Sequence, residues 1–225
     1  MTRFKLTLEY EGSAFVGWQR QDNGMSVQQA IEEAVFKTCA ENVNVQGAGR
    51  TDAGVHALGQ VAHLDIEKDF APDKLAAALN FHLKPWPVAI LAAEVAGPDF
   101  HARFSASGRA YLYRIANRRA PLTLDEGRAW LVNAPLDAVW AAWHDPAVLR
   151  RWLPGADFEI RRFSPNKALH LNWPDGTWVS VTFAESAGKS KIVVTHRKLR
   201  VNADVGKMQL FWQEALDRLK AVLES

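Results

Sequence analysis

Phe4, Leu6, Leu8 and Tyr10 alternate with Lys5, Thr7 and Glu9 near the start of the chain. This is the period of two that a half-buried strand requires, because successive side chains point to opposite faces. Further on, Val27, Ile31, Ala34, Val35 and Thr38 recur at helical spacing, and Ser26 stands three residues before Gln29 at the head of that run. A serine hydroxyl can satisfy an amide in a helix's first turn, so the spacing predicts a helix from Val27 to about Ala40. Val43 and Val45 predict a short strand, and Val61 to Glu67 another. Pro72 opens a second helix, in which Leu75, Leu79 and Leu83 follow at intervals of about one turn. Val88 to Val95 reads as a buried strand ended by Gly97 and Pro98. Arg109 to Asn117 is one more strand, setting Tyr111, Tyr113 and Ile115 on one face.

The texture changes near residue 130. Seven of the nine tryptophans lie from Trp130 onward, and the formal charge moves from −1 over residues 1–130 to +3 over residues 131–225. Short helical stretches follow Pro135 (LDAVWAAWHD) and begin at Pro146 (PAVLRRWLP). Leu169, Leu171 and Trp173 alternate before the turn Pro174-Asp175-Gly176, and Val179, Val181 and Phe183 alternate after it, which predicts a hairpin. Lys191 to His196 is a further strand. From Asn202 a long amphipathic helix places Val205, Met208, Trp212, Ala215, Leu216, Leu219 and Val222 along one stripe. The fold class is therefore α+β. Residues 1–128 follow the order of a split βαβ, ferredoxin-like unit, with helices on one face of a sheet and the other face open to a ligand. Residues 129–225 predict a short antiparallel sheet wrapped around a long helix.

At 225 residues, 48% apolar and 23% charged, the chain has the balance of one large or two small globular domains. A net charge of +2 announces no nucleic-acid partner by itself, so the placement of charge matters more. From His101 to Arg119 there are five arginines, Arg103, Arg109, Arg114, Arg118 and Arg119, with Tyr111 and Tyr113 among them and no acid. The single cysteine, Cys39, cannot form an internal disulfide, which suits a reducing compartment. No segment reaches membrane-spanning length and MTRFKLTLEY has no signal-like apolar run, so a cytoplasmic protein without a membrane partner is expected.

Gly47 to Gln60, GAGRTDAGVHALGQ, carries the candidate chemistry. Its glycines allow close approach to a ligand, and Arg50 stands near enough to Asp52 to hold that carboxylate ionised and oriented. Asp-Ala-Gly is equally an ordinary turn, and local chemistry leaves the two readings level. His56, His63, His82 and His101 show no metal-ligand spacing, so no metal is assigned.

The segments LEYEGSAFVGWQRQ, SVQQAIEEA, GAGRTDAGVHALGQVAHL, Leu79-Asn80, FHARFSA and YLYRI resemble, in this order, the first half of tRNA pseudouridine synthase A, over about residues 3–127. The resemblance implies an isomerase that converts uridine to pseudouridine in the tRNA anticodon stem and loop without a cofactor. It implies that Asp52 is the nucleophile and that Tyr111 stacks on the extruded base. Arg50 would hold Asp52, while His56, Gln60, Trp18 and Arg20 would shape the loop and its approach. The strip containing Arg103 and Arg109 would meet tRNA phosphates. Members of the family form homodimers. Taken without the resemblance, Tyr111 alternating with Tyr113 on a strand reads more readily as a core residue than as a stacking platform.

After about Arg128 that resemblance ends. VWAAWHDPAVLRRWL, WPDGTWVSVTF and FWQEALDRLKAVL resemble the START-like helix-grip superfamily, in its Hsp90 ATPase activator-like branch. Such domains hold an apolar ligand or a protein partner between sheet and helix, although the tryptophans also suit plain packing. Two functions stand side by side. One is a tRNA pseudouridine synthase whose activity must do without the family's second half. The other is a helix-grip binding protein that carries an inactive synthase remnant.

Overall fold

The alternation of Phe4, Leu6, Leu8 and Tyr10 becomes β1 (Thr2–Tyr10), with all four side chains buried. The computed structural model describes residues 1–155, 157–186, 189–198 and 205–224. After β1 comes α1 (Val27–Cys39), where the Ser26 hydroxyl accepts the Gln29 amide at 3.1 Å and Ala40 ends the helix in the left-handed region at φ 62°. β2 (Gln46–Gly47), β3 (Ala57–Ile66), α2 (Pro72–His82) and β4 (Val88–Val95) follow. The sheet runs β2-β3-β1-β4 with every pairing antiparallel. Its inward residues form one core with Ile31, Val35 and neighbours from α1 and with Leu75 and Leu79 from α2. These elements belong to a first compact unit, Met1–Ala106.

The expected strand at Val43 and Val45 is shorter and later. The Val45 amide donates to the Glu32 carboxylate at 3.2 Å, so it takes no place in the ladder. The far face of this sheet is not left open throughout. Ala102 donates its amide to His63 Nδ1 at 3.1 Å, and the rings of Phe100 and His101 lie against His63, which is 3% exposed.

The second unit, Ser107–Ser225, contains β5 (Tyr111–Asn117), β6 (Trp130–Val132), α3 (Leu136–His144), α4 (Pro146–Trp152), β7 (Glu159–Ser164), β8 (Ala168–Asn172), β9 (Trp178–Ser186), β10 (Lys189–Arg197) and α5 (Val205–Glu224). Its sheet runs β6-β5-β10-β9-β8-β7. Two expectations are corrected here. β5, read from the sequence as the last strand of the first half, pairs with β10, Tyr113 opposite Val194 and Ile115 opposite Ile192. Its inward side chains fill the core of the second unit, which begins at Ser107. The sheet is also not wholly antiparallel, because the three-residue β6 runs parallel to β5 after a long connection of the kind parallel pairing needs.

Trp212, Ala215, Leu216 and Leu219 of α5 are buried against this sheet. The side chains of Val205 and Met208, and Asn202 itself, lie outside the described residues. The space between sheet and helices holds Trp143, Trp152 and Trp212, the Trp143 ring 4.6 Å from Trp152 and 6.3 Å from Trp212. Trp152 donates its indole N–H to the Ala142 carbonyl at 2.7 Å, so the polar edge of that ring is satisfied in the core.

His196, 1% exposed, is neutral by geometry. The Trp212 indole N–H donates to its Nδ1 at 3.1 Å, so the proton sits on Nε2, which faces Thr177 Oγ1 at 2.9 Å. Thr177 in turn donates to Asp175 at 2.7 Å. Burial lowers the His196 pKa from 6.5 to about 4. The unfolded chain therefore takes up a proton before the folded one does as pH falls. Stability is expected to be full above pH about 6.5 and to fall by up to about 3 kcal/mol as pH drops toward about 4. Urea unfolding across that range, set against His196→Gln, checks this; equal acid slopes in both proteins would exclude His196 as the cause.

Candidate active site

Backbone bonds from three directions hold the loop between β2 and β3. Ala48 donates to the Val61 carbonyl at 2.7 Å, Trp18 donates to the Thr51 carbonyl at 2.9 Å, and Val55 closes a turn onto the Asp52 carbonyl at 3.3 Å. Side chains complete the frame. Gln60 donates to the Gly49 carbonyl at 2.8 Å, and Tyr10 at the end of β1 meets Thr51 through their hydroxyls at 2.8 Å. Burial pushes the Tyr10 phenol up, which keeps it a neutral hydrogen-bonding group. His56 Nδ1 accepts the Gly12 amide at 3.0 Å and lies 3.3 Å from the Glu11 carboxylate.

Two glycines are required by close packing. A Cβ at Gly47 would come within 2.5 Å of the Trp18 indole, which is 3% exposed, and a Cβ at Gly12 would overlap the Val55 carbonyl. Gly12→Ala is therefore expected to destabilise the first unit by about 1–3 kcal/mol, as overpacking against backbone does. Denaturant unfolding followed through Trp18 and Trp86, the two tryptophans of that unit, measures it.

Within this frame Asp52 is exposed, as are Ala53 and Gly54 beside it. Gly54 takes φ 78°, which turns the chain back toward β3 at the exposed tip. Arg50 is exposed too, and among the described residues no hydrogen bond or ion pair joins it to Asp52. Arg20 reaches the Glu32 carboxylate of α1 at 3.1 Å, and its amide donates to Gln28 at 3.0 Å. The structure thus gathers Arg50, Asp52 and His56 on one loop, with Gln60 reaching that loop from β3.

Other site residues expected from the sequence lie elsewhere. Arg103 is an exposed residue of the first unit, with its amide on His101 Nδ1 at 3.2 Å. Arg109 and Tyr111 belong to the second unit, where both are half-buried and Tyr111 packs against the core. The basic strip from His101 to Arg119 is accordingly divided between the two units. Tyr10 and Thr51 also frame the loop, although neither belongs to the site expected from the sequence. Their signal was position: Tyr10 ends the buried alternation of β1 where the next loop begins.

Among the described residues no cluster of three His, Cys, Asp or Glu could hold a metal ion, and no helix is long and apolar enough to cross a membrane.

A family model described as tRNA pseudouridine synthase matches residues 7–105. The tRNA pseudouridine synthase A of Rhodospirillum centenum is 63% identical over 164 residues, covering 73% of this chain and 65% of that protein. The protein of the same name from Parvibaculum lavamentivorans is 60% identical over 147 residues, covering 65% and 59%. That of Nitrobacter hamburgensis is 53% identical over 175 residues, covering 75% and 70%. The chain thus spans 65% and 59% of the first two relatives' length. A matched span of 164 residues also runs past residue 128, where the sequence alone placed the end of the likeness.

Among solved structures, the Aha1 dimer from Colwellia psychrerythraea aligns with 52% of this chain and 96% of its own at 17% identity and a TM-score of 0.40. An AHSA1-like protein from Aeromonas hydrophila aligns with 51% and 92% at 19% identity and a TM-score of 0.37. Scores at this level carry no function across.

Proposed function

Since the chain belongs to the tRNA pseudouridine synthase A family, we propose that it isomerises uridine to pseudouridine in the anticodon stem and loop of tRNA. Asp52 is the nucleophile. The observation that carries this reading is the contrast within the loop: its backbone is held by β3 and the Trp18 segment and its Thr51 hydroxyl by Tyr10 of β1, while the Asp52 side chain stands exposed. A carboxylate placed this way can meet a nucleotide without first breaking contacts of its own.

The reaction balances with no added reagent. The carboxylate attacks either the ribose carbon or the base, and the bond from N1 to the ribose breaks. The base turns, C5 bonds to the ribose carbon, the bond to the carboxylate breaks and frees Asp52, C5 releases its proton, and N1 takes one up. The target nucleotide must leave its stack first, and Tyr111 is the proposed flat partner for it. Arg50, His56, Gln60 and Arg20 line the approach, and Arg103 and Arg109 meet phosphates. The strand order of the first unit supports a ferredoxin-like reading of it, and the homodimer is part of the same proposal.

The alternative, a helix-grip protein with an apolar ligand, needs room between sheet and helix. Three fully buried tryptophans fill that region of the second unit, which favours the enzyme. The test is tritium release from an unmodified tRNA transcript labelled at uridine C5. Release by the intact protein is expected, and none with protein in excess over tRNA would overturn the proposal.

A further inference from the structure

The second unit carries a basic groove of roughly 480 Å³, lined by Arg161, Arg162, His170, Asn172, Trp178 and Lys198. It lies on the sheet face opposite the core: His170 and Asn172 alternate with buried Leu169 and Leu171, and Trp178 precedes buried Val179. Register sets Arg162 opposite His170, Asn172 opposite Trp178, and Trp178 opposite Arg197, whose guanidinium lies 5.4 Å from the Trp178 ring. Consecutive residues of a regular strand point to opposite faces. The register shift between Ile160 and Arg162 leaves Arg161 unpaired there, which lets two adjacent arginines line one groove. Lys198 adds its charge from a left-handed backbone position at φ 60° just past β10.

Arg161, Arg162, Arg197 and Lys198 are all exposed, and no ion pair involves any of them among the described residues. Among the described residues no acid lines the groove, and Glu159 pairs in register with Asn172 of its lining. Clustered like charges repel one another, and an anionic partner relieves that repulsion. The partner must also suit a flat aromatic beside the cations. An acidic protein segment satisfies the charges but has no use for the ring, whereas an RNA strand offers phosphates and a planar base together.

We propose that this groove binds a single-stranded or loop segment of RNA, with phosphates on Arg161, Arg162 and Lys198 and a base against Trp178. The proposal rests on the reading of the chain as a tRNA-modifying enzyme and adds an RNA surface remote in sequence from the Asp52 loop.

The test is binding of a fluorescently labelled, unmodified tRNA transcript to the intact protein at several salt concentrations. Arg161→Ala with Arg162→Ala is expected to weaken binding about tenfold or more and to make the dependence of log K on log salt shallower by about 1 to 2. Trp178→Ala should weaken binding about tenfold with the salt slope unchanged. Arg150→Ala with Arg151→Ala removes the same charge from α4 and should change neither quantity. Groove variants that bind like the parent, or that lose no more than the α4 pair, would overturn the proposal. So would competition by polyglutamate as effective as that by RNA. Pseudouridine formation, followed in parallel, separates the two readings. Formation with unaltered binding in the groove variants sinks the groove alone. Binding lost in those variants, with no pseudouridine made by the parent, leaves the groove standing and removes the synthase.

Discussion

Asp52→Ala is expected to lower pseudouridine formation by at least about 10⁴-fold while leaving the unfolding midpoint of the protein within experimental error. The size of the first effect follows from the role: without the nucleophile no covalent step is available, and positioning alone recovers little of it. The absence of the second follows from the structure. The Asp52 side chain is exposed and makes no hydrogen bond or ion pair among the described residues, and the bond that closes its turn uses the Asp52 carbonyl, which alanine keeps. Exposed substitutions of this kind change stability by about 0.5 kcal/mol or less. Single-turnover conversion with protein in excess over tRNA measures the chemistry apart from product release. If the variant converts tRNA within tenfold of the parent, another group is the nucleophile. Asp52→Asn sharpens the result, since it keeps the shape and removes the charge.

Trp212→Ala carries the largest expected loss of stability, about 3–5 kcal/mol in the second unit. Trp212 is fully buried and its ring meets Tyr113 at 5.7 Å, Trp143 at 6.3 Å and Trp173 at 6.2 Å, so truncation opens a cavity bordered by rigid rings. It also removes the donor that His196 Nδ1 accepts. Trp212→Phe separates the two contributions: most of the volume stays and the N–H goes, for a loss of about 1–3 kcal/mol. In that variant Nδ1 is free to take a proton, so the acid-side fall in stability should become smaller. Two compact units need not unfold together, and urea melts should therefore be followed by both far-ultraviolet circular dichroism and fluorescence. A single unchanged transition in Trp212→Ala would refute the packing argument.

Where local physics decides, the sequence was informative. The Ser26 to Gln29 spacing and the Val27, Ile31, Ala34, Val35 periodicity placed α1 because capping and helical spacing act within a few residues. β4 and the hairpin of β8 and β9 were legible for the same reason. β7 was not: all of Glu159–Ser164 is exposed, and an edge strand with an irregular register has no burial alternation to display. β6 is only three residues long and is held by a parallel partner, which leaves no pattern to read.

From sequence alone come a strand over Arg109 to Asn117, a glycine-rich stretch from Gly47 to Gln60 that carries one carboxylate, and the likeness of the first half to a synthase. Alternation states which side chains share a face, and motif spacing states which groups are close along the chain. Neither names a partner. Only the tertiary structure decided that β5 pairs with β10, that Asp52 stands free on a loop pinned from its flanks, and that His196 is neutral against Trp212. It also decided that Arg161, Arg162, Arg197 and Lys198 gather on one surface. Strand pairing, proton placement and charge clustering depend on residues far apart in the chain, and their energies arise only once those residues are brought together.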